Sequence, residues 1–314
     1  MGLDSLDWKI IEVLDWQARM PINQIAKKVR ASREVISYRL KTLEKEKIIL
    51  GYYPILNLTK LGYYSNRLNI EVEELTSEEE KKFVKFLDED INCGLIYKME
   101  NVYQYGIFFW TKSIYDVGKI ISKIKLHLGE KMIKYRYALM CTLRQYPRSL
   151  LFGEKSHREY INITEEKQVS HDESDIKILR CLSKNARMSS VEISSKTKIP
   201  QTTVINRIRE LEKKNVILGY RADINSKKLG YIYYAVEISL KDIDNLKEME
   251  TWLNTNPHTT WLQKIIGEFE LELEIEVNDR IELDKFMQDF RDKFPNIRKI
   301  NYYPEDYWKI TYLP

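Results

Sequence analysis

Residues 43–52, LEKEKIILGY, recur 168 positions later as residues 211–220, LEKKNVILGY. Extended in both directions without a gap, the match aligns residues 4–63 with residues 172–231, and 23 of the 60 positions are identical. Unrelated sequences of average composition agree at about 6% of positions. The chain therefore carries a duplicated unit. Two copies are too few for a repeat solenoid.

Each copy begins with three helical patterns and a strand. Asp4 and Asp172 are candidate N-caps of the first helix, because their carboxylates can accept hydrogen bonds from free backbone amides. The second helix is expected over Ile22–Val29 in the first copy and over Ser190–Thr197 in the second. The third helix is expected to begin near Ser32 and near Pro200. The strand is expected over Ile48–Tyr53 and Val216–Tyr220. The third helix is expected to bury Val35, Ile36, Leu40, Leu43, Val204, Ile208 and Leu211. This order is typical of a winged helix-turn-helix; the alternative is a three-helix packing unit without a ligand.

The second half of each copy has the order strand, helix, two strands, helix, strand. In the first copy the segments are Leu61–Leu75, Ser77–Asp88, Gly94–Met99, Tyr103–Trp110, Ser113–Leu128 and Met132–Leu143. In the second they are Ile232–Leu240, Ile243–Leu253, Thr259–Ile266, Phe269–Val277, Asp279–Phe294 and Ile297–Leu313, the last interrupted at Pro304. This order predicts an α+β fold, in which two winged helix-turn-helix domains alternate with two ferredoxin-like βαββαβ domains. Each ferredoxin-like sheet then has one face without helices, and a face of this kind is usually covered by a binding partner.

The face without helices differs between the copies. From Phe269 to Val277, apolar residues alternate with glutamates, which predicts a strand with one apolar face. The glutamates on the opposite face are Glu270, Glu272, Glu274 and Glu276. The first copy carries Phe108 and Trp110 there, so a dry sheet-on-sheet contact fits the first copy better than the second. The glutamates fit either a solvated face or a paired or water-filled interface.

Composition and charge indicate a protein with two polyanion-binding modules. The 314 residues are 43% hydrophobic and 31% charged, which is typical of a soluble globular protein, and no apolar run predicts a membrane span. The acidic N-terminus and the scattered cysteines favour a cytoplasmic protein whose Cys93, Cys141 and Cys181 are buried free thiols. The net charge is +4 over residues 1–60, +6 over 171–228 and −7 over 229–314. The two basic segments coincide with the two predicted helix-turn-helix units.

Short motifs at matching positions identify a family. The first copy has Leu6-Asp7, Ala18-Arg19, Ile25-Ala26, Ser32 with Arg39, Leu43-Glu44, Ile48-Ile49 and Gly51-Tyr52. The second copy has Asp175, Asn185-Ala186-Arg187, Ile193, Arg207, Leu211-Glu212, Val216-Ile217 and Gly219-Tyr220. These residues and their spacing resemble the Lrp/AsnC family of bacterial and archaeal transcription regulators. Two consecutive units that resemble the family together span nearly the whole chain. The resemblance implies that each unit has a DNA-binding domain and a ligand-sensing domain. It also implies a dimer or a multiple of dimers.

The resemblance divides the chain into five segments. They are a first winged helix-turn-helix at 1–60, a first ferredoxin-like sensing domain at 61–146, a linker at 147–170, a second winged helix-turn-helix at 171–228 and a second sensing domain at 229–314. Some positions depart from the family's pattern. Lys47 and Asn215 replace a glycine before the strand, where Asn tolerates a left-handed backbone and Lys adopts it at a small cost. Pro200 lacks the N-cap hydroxyl that Ser32 supplies in the first copy.

The leading prediction is a sequence-specific DNA-binding transcription regulator that reads the major groove with each third helix. The candidate DNA-binding residues of the first copy are Ser32, Arg33, Glu34, Ser37, Tyr38, Arg39 and Lys41. Those of the second copy are Gln201, Thr202, Thr203, Asn206, Arg207 and Arg209. Arg39 and Arg207 fit either a phosphate contact or a salt bridge within the protein. For each single residue, a solvated helix face is the competing interpretation.

The resemblance also implies a place for a small-molecule effector such as an amino acid. The family's Gly-x-x-Asp turn survives as Gly267-x-x-Glu270 in the second copy, whereas the first copy has Asn101-x-x-Gln104. Glycine allows the backbone to approach a ligand closely, and Glu270 would face an effector ammonium group. An effector is therefore expected at Gly267 and Glu270. No cofactor and no metal site is predicted.

Two other classes of function fit the sequence less well. An interaction module would recruit basal transcription factors through the acidic C-terminal sheet, as an activator for which DNA binding is secondary. An enzyme similar to the siroheme decarboxylases would share the architecture. The histidines, His127, His157, His171 and His258, have no metal-ligand spacing, and no Gly-rich phosphate loop or CxxC motif occurs. We therefore expect no enzymatic activity. The sequence is compatible with two assemblies, a homodimer and an intramolecular pseudo-dimer.

Overall fold

A computed structural model of the chain describes residues 2–91, 93–99, 103–152 and 159–310. The first repeat contains α1 (Ser5–Gln17), α2 (Ile22–Val29), α3 (Arg33–Lys45), β1 (Ile49–Leu56), β2 (Tyr64–Val72), α4 (Ser77–Glu89), β3 (Leu95–Met99), β4 (Tyr105–Thr111), α5 (Ile114–Leu128) and β5 (Met132–Gln145). Between the repeats lie α6 (Ser149–Phe152) and β6 (Ile161–Thr164). The second repeat contains α7 (Glu173–Lys184), α8 (Ser190–Thr197), α9 (Gln201–Lys213), β7 (Ile217–Ile224), β8 (Ile232–Leu240), α10 (Leu246–Thr255), β9 (Thr259–Ile266), β10 (Leu271–Val277), α11 (Arg280–Lys293) and β11 (Ile297–Ile310). This mixture of helices and sheets confirms the α+β fold class.

Local chemistry sets the helix bounds. The side chain of Asp4 accepts hydrogen bonds from two backbone amides at the start of α1, and Asp172 caps α7 in the same way. The bounds of α2 and α8 coincide with the ranges expected from the sequence. Lys47 (φ 57°) and Asn215 (φ 55°) both adopt the left-handed backbone that is expected where the family has glycine.

The strand after each third helix pairs with its counterpart in the other repeat. β1 and β7 form a separate antiparallel two-stranded sheet, which we call the hinge ribbon. Reciprocal backbone bonds flank it: the Ala18 amide donates to the Tyr220 carbonyl, and the Ala186 amide donates to the Tyr52 carbonyl, both at 2.9 Å. These contacts repeat with the 168-residue offset, so an approximate two-fold axis relates the first head (α1–α3) to the second head (α7–α9).

The two ferredoxin-like sheets close on each other into a ring of eight strands. The order is β2-β4-β3-β11-β8-β10-β9-β5, and β5 pairs back with β2. Two long strands make the seams. β5 pairs first with β2 and then with β9, and β11 pairs first with β8 and then with β3. Helices α4, α5, α10 and α11 pack on the outside, so the two faces without helices meet inside the ring.

The interruption expected at Pro304 does not occur. β11 runs without a break from Ile297 to Ile310, and Pro304 pairs with Tyr234 of β8. The following residue, Glu305, pairs with Met99 of β3. Pro304 therefore lies at the point where β11 passes from pairing with β8 to pairing with β3, and its missing backbone N–H does not interrupt the strand.

The inner face of the ring is filled with paired charges. β10 is buried along its whole length, including Glu272, which is 2% exposed. Glu272 forms an ion pair with Arg67 of β2, and Glu237 of β8 forms one with Arg136 of β5. The first sheet thus supplies cations and the second supplies carboxylates. The solvated face considered for the glutamates is wrong, and the paired interface is correct.

Arg67 is the centre of this inner network. Its Nε donates to the Tyr97 hydroxyl at 2.5 Å and its Nη2 donates to the Tyr303 hydroxyl at 3.1 Å. The guanidinium also lies over the ring of Phe108, 5.4 Å from its centroid. A buried guanidinium is stable only when it is paired and hydrogen-bonded, and the partners of Arg67 come from both sheets.

A second charged cluster joins the first head to the second sheet. Asp15, at the end of α1, accepts hydrogen bonds from Nη2 of Arg221 at 2.6 Å and from the backbone amide of Arg148 at 3.0 Å. Arg148 also forms an ion pair with Glu276 of β10. Asp15 is 1% exposed and Glu276 is fully buried. The cluster therefore connects α1, the hinge ribbon, the segment after β5 and the second sheet.

The described residues contain no helix that is both long and apolar enough to cross a membrane. All three cysteines are free thiols. Cys93 is buried as expected, but Cys141 is exposed and Cys181 is half-buried, so the expectation of three buried thiols is wrong for those two. Burial raises the pKa of the Cys93 thiol, which keeps it protonated at neutral pH.

Candidate nucleic-acid interface

The outer face of α3 carries the first set of candidate reading residues. Ile36, Leu40 and Leu43 are buried in the core of the first head. The candidates on the remaining faces are the exposed Arg33, Glu34, Tyr38 and Lys41 and the half-buried Ser37. The helical period thus separates one buried stripe from one polar face, as a helix that lies in the major groove requires.

Val35 departs from the sequence expectation. The helical period predicts that Val35 is buried beside Ile36, but its side chain is 40% exposed. The stripe at Ile36, Leu40 and Leu43 already fills the core, so Val35 lies at the edge of the exposed face, one turn before Tyr38. Tyr38 is 66% exposed.

The outer face of α9 carries the second set. Gln201, Thr202, Asn206 and Arg209 are exposed, and Thr203 is half-buried. Nε2 of Gln201 donates to the Ser190 hydroxyl of α8 at 3.2 Å. Because this bond is exposed, Gln201 can exchange it for a contact with a base at little cost.

The two third helices start differently. The Ser32 hydroxyl accepts a hydrogen bond from the Val35 amide at 3.3 Å, so Ser32 is the N-cap of α3. Pro200 provides no side-chain cap for α9. The first turn of α3 is therefore fixed by the Ser32 side chain, whereas the start of α9 depends on the fixed backbone angle of Pro200.

Arg39 and Arg207 form salt bridges within the protein. Arg39 contacts Asp4 at 2.8 Å and Asp7 at 3.1 Å, and Arg207 contacts Asp172 at 2.8 Å and Asp175 at 2.9 Å. The charge on Asp7 raises the pKa of Arg39, and the hydrogen bond to Asp175 raises that of Arg207. Each arginine thus ties the third helix to the start of the first. A phosphate contact would have to share the guanidinium with these carboxylates.

Arg19 and Arg187 hold the two heads against each other. Nη1 of Arg187 donates to the carbonyls of Ala18 at 2.6 Å and Met20 at 3.1 Å. Arg19 makes the reciprocal bonds to the carbonyls of Ala186 and Met188. Sequence reasoning assigned these arginines no role, although the repeated Ala-Arg-Met motif marks them. They fix the relative positions of α3 and α9.

Arg30 and Lys198 are basic residues that sequence reasoning also missed. They occupy related positions in the turn before each third helix, with left-handed φ values of 59° and 62°. Both are exposed. The N-terminus of a helix carries a partial positive charge and free amides, which favour phosphate. The signal in the sequence was a basic residue kept at both positions of the repeat.

The turn predicted to bind an effector is engaged within the protein. Oε2 of Glu270 accepts a hydrogen bond from the Leu240 amide at 2.8 Å, and Oε1 of Gln104 accepts one from the Val72 amide at 2.9 Å. These contacts are related by the repeat, so both side chains hold the end of a sheet strand. A Cβ added at Gly267 would lie 3.2 Å from the Cβ of Ala138. Asn101 lies outside the described residues.

The histidines are dispersed. The ring of His127 stacks on that of Phe86 at 4.0 Å, and Nδ1 of His258 is 2.9 Å from the Glu276 carbonyl. Nδ1 of His171 is 3.1 Å from a backbone carbonyl, and His157 lies outside the described residues. Across the described part of the chain, no group of three or more His, Cys, Asp or Glu side chains could hold a metal ion.

Comparisons of sequence place the heads among known DNA-binding domains. A family model described as winged helix-turn-helix DNA-binding matches residues 3–49 and again residues 171–217. An uncharacterized HTH-type transcriptional regulator of Pyrococcus horikoshii is 30% identical over 138 residues, which is 44% of this chain and 87% of the relative. One of Pyrococcus furiosus is 34% identical over 125 residues, 39% of this chain and 81% of the relative. The regulator LrpA of Pyrococcus horikoshii is 50% identical over 60 residues, 19% of this chain and 43% of the relative.

Among solved structures, a siroheme decarboxylase matches both repeats at once. The siroheme decarboxylase NirDL covers 98% of this chain and 94% of its own, with a TM-score of 0.62 and 11% sequence identity. At that identity the likeness shows that the two-unit fold is shared, and nothing about activity.

Proposed function

This chain belongs to the Lrp/AsnC family of DNA-binding transcription regulators, and from that premise we propose that one polypeptide acts as an intramolecular pseudo-dimer. The supporting observation is the reciprocal pairing of the two heads. β1 pairs with β7, and Arg19 and Arg187 exchange hydrogen bonds between the heads. Two recognition helices are thereby presented by one chain without the need for a second.

The two helices are proposed to read different half-sites. Arg33 of α3 suits bidentate contact with guanine, whereas Gln201 and Asn206 of α9 suit bidentate contact with adenine. The exposed Arg30 and Lys198 are suited to phosphate contacts, which position the protein without reading sequence. Arg39 and Arg207 are engaged with carboxylates at the start of the first helix of each head, and the other candidates are proposed as further DNA contacts.

Binding to DNA should be strongly salt-dependent. If each head neutralises about three phosphates, the logarithm of the binding constant should fall with the logarithm of salt concentration at a slope of about −5. Fluorescence anisotropy with a duplex selected from random DNA measures this slope. A slope near zero, or no binding at low salt, would contradict the proposal. The double variant Arg30→Ala with Lys198→Ala should reduce the magnitude of the slope by about 2, and Lys247→Ala on α10 should leave it unchanged.

We propose that an amino-acid effector binds at Gly267 and Glu270. It would have to replace the Leu240 amide as the partner of the Glu270 carboxylate. Calorimetric titration with the amino acids should then detect binding that Glu270→Ala weakens. Gln104→Ala removes the equivalent contact of the first repeat and is the matched control. Binding that is lost in Gln104→Ala and kept in Glu270→Ala would place the effector in the first repeat, and no heat with any amino acid would exclude this ligand class.

The alternatives are weaker on structural grounds. An acidic surface that recruits basal transcription factors would need accessible glutamates, but Glu272 and Glu276 are buried inside the ring. The fold shared with a siroheme decarboxylase motivates one direct test of catalysis. We expect no haem-type absorption change when siroheme is added to the protein. We propose a non-enzymatic regulator that acts in the cytoplasm.

A further inference from the structure

We propose that Val35 recognises the C5 methyl group of a thymine in the half-site that α3 reads. Val35 is 40% exposed at the edge of the reading face, in the first turn of α3. Residues near the N-terminus of a recognition helix are those that contact base edges. This inference rests on the proposed reading of DNA by α3 and specifies one part of it.

The chemistry of the major groove leaves one matching group for this side chain. Valine has no hydrogen-bond donor or acceptor, so it cannot read the polar edges of guanine, cytosine or adenine. The thymine methyl is the apolar group that the major groove presents. Tyr38, one turn further along and 66% exposed, adds apolar surface beside Val35. Together they form an apolar patch on an otherwise polar face.

The local structure holds Val35 rigidly. Its backbone amide donates to the Ser32 hydroxyl, which fixes the first turn of α3. A β-branched side chain in a helix keeps essentially one χ1 rotamer. Little conformational entropy is therefore lost when the isopropyl group packs against a methyl group.

The second helix differs at the corresponding positions. The repeat places Thr203 and Asn206 of α9 where α3 has Val35 and Tyr38. Asn206 is exposed, Thr203 is half-buried, and both carry hydrogen-bonding groups. The two half-sites should thus differ in chemistry: a methyl contact in one arm and a hydrogen-bonding contact at the related place in the other.

Replacement of thymine by deoxyuridine tests the contact, because it removes only the methyl group. Each thymine in the α3 arm of the selected duplex is replaced in turn, and binding by the full chain is measured by fluorescence anisotropy. The arms are assigned with Arg33→Ala and Gln201→Ala. At one position the replacement should weaken binding by wild-type protein about fourfold, the effect of one methyl group withdrawn from water.

The variant Val35→Ala should bind the unmodified duplex more weakly and should lose this sensitivity to deoxyuridine. Alanine is a better helix former than valine, so α3 is expected to remain folded. Val191→Ala is the matched control, because Val191 is 59% exposed on α8, outside α9. That variant should keep the fourfold sensitivity.

Three results would overturn the inference: an α3 arm without thymine, wild-type binding that no replacement changes, or a Val35→Ala variant as sensitive as wild type. All three leave specific DNA binding intact. Failure to select any specific site would instead remove the proposed function, and this inference with it.

Discussion

Replacing Arg67 with methionine should lower the free energy of unfolding by about 3–5 kcal/mol. Arg67 and its partner Glu272 are each 2% exposed, and the pair joins the two sheets inside the ring. Without the guanidinium, the Glu272 carboxylate is left buried without its cation, and the Tyr97 and Tyr303 hydroxyls lose a donor. Urea unfolding followed by tryptophan fluorescence measures the change.

Two controls distinguish the loss of the Arg67–Glu272 ion pair from a general effect of removing a charge on the free energy of unfolding. The double variant Arg67→Met with Glu272→Leu removes both charges and should recover most of the loss, since an apolar pair of similar volume needs no desolvation of ions. Lys98→Met breaks the Lys98–Glu80 pair, in which the side chains are 46% and 27% exposed, and should cost less than about 1 kcal/mol. An Arg67→Met variant as stable as Lys98→Met would mean that the inside of the ring is solvated.

Asp15→Ala is expected to have a comparable effect, about 3–5 kcal/mol, at a different place. Asp15 holds the side chain of Arg221, which is 1% exposed, and the backbone amide of Arg148. Its removal leaves the Arg221 guanidinium buried without a carboxylate. The same urea experiment reports the loss.

The repeat provides a matched control for this variant. Ser183 occupies the position of Asp15 in the second repeat and is 9% exposed. Ser183→Ala removes no charge and should change stability by less than about 1 kcal/mol. Asp15→Leu combined with Arg221→Met should recover part of the loss. Equal effects of Asp15→Ala and Ser183→Ala would show that the charged cluster contributes nothing specific.

The helix starts of both heads and both bounds of α2 and α8 could be predicted from the sequence, whereas β1 and β7 extend further than expected. Capping side chains such as Asp4 and Asp172 act locally, and the 3.6-residue period separates core from surface. Val35 was misassigned because periodicity identifies a stripe but not its width. Three residues of α3 fill the core of a small head, and a fourth at the edge stays outside.

The closure of the ring could not be predicted. The alternation of Glu272, Glu274 and Glu276 shows that they share a face, but periodicity does not say what covers that face. The cationic partners of Glu272 and Glu276 are Arg67 and Arg148, which lie more than 100 residues away in the sequence, so no local pattern links them. Which sheet β5 and β11 join in their second halves depends equally on distant contacts.

Arg19 and Arg187 were missed for a related reason. Each binds carbonyls of the other repeat, so its role exists only after both heads have folded and met. The role of Arg39 and Arg207 could not be predicted either, because a salt bridge to the start of the first helix and a phosphate contact require the same residue types.

Quantitative footprinting of the selected DNA site with Arg33→Ala is the most direct measurement of whether one chain reads two unlike half-sites. We expect an asymmetric site on which Arg33→Ala relaxes base preference in one arm only, with a loss of about 1–3 kcal/mol. Gln201→Ala or Asn206→Ala should relax the other arm. A palindromic site whose two arms are weakened equally by Arg33→Ala would contradict the single-chain pseudo-dimer, because two copies of α3 from two chains would then occupy it.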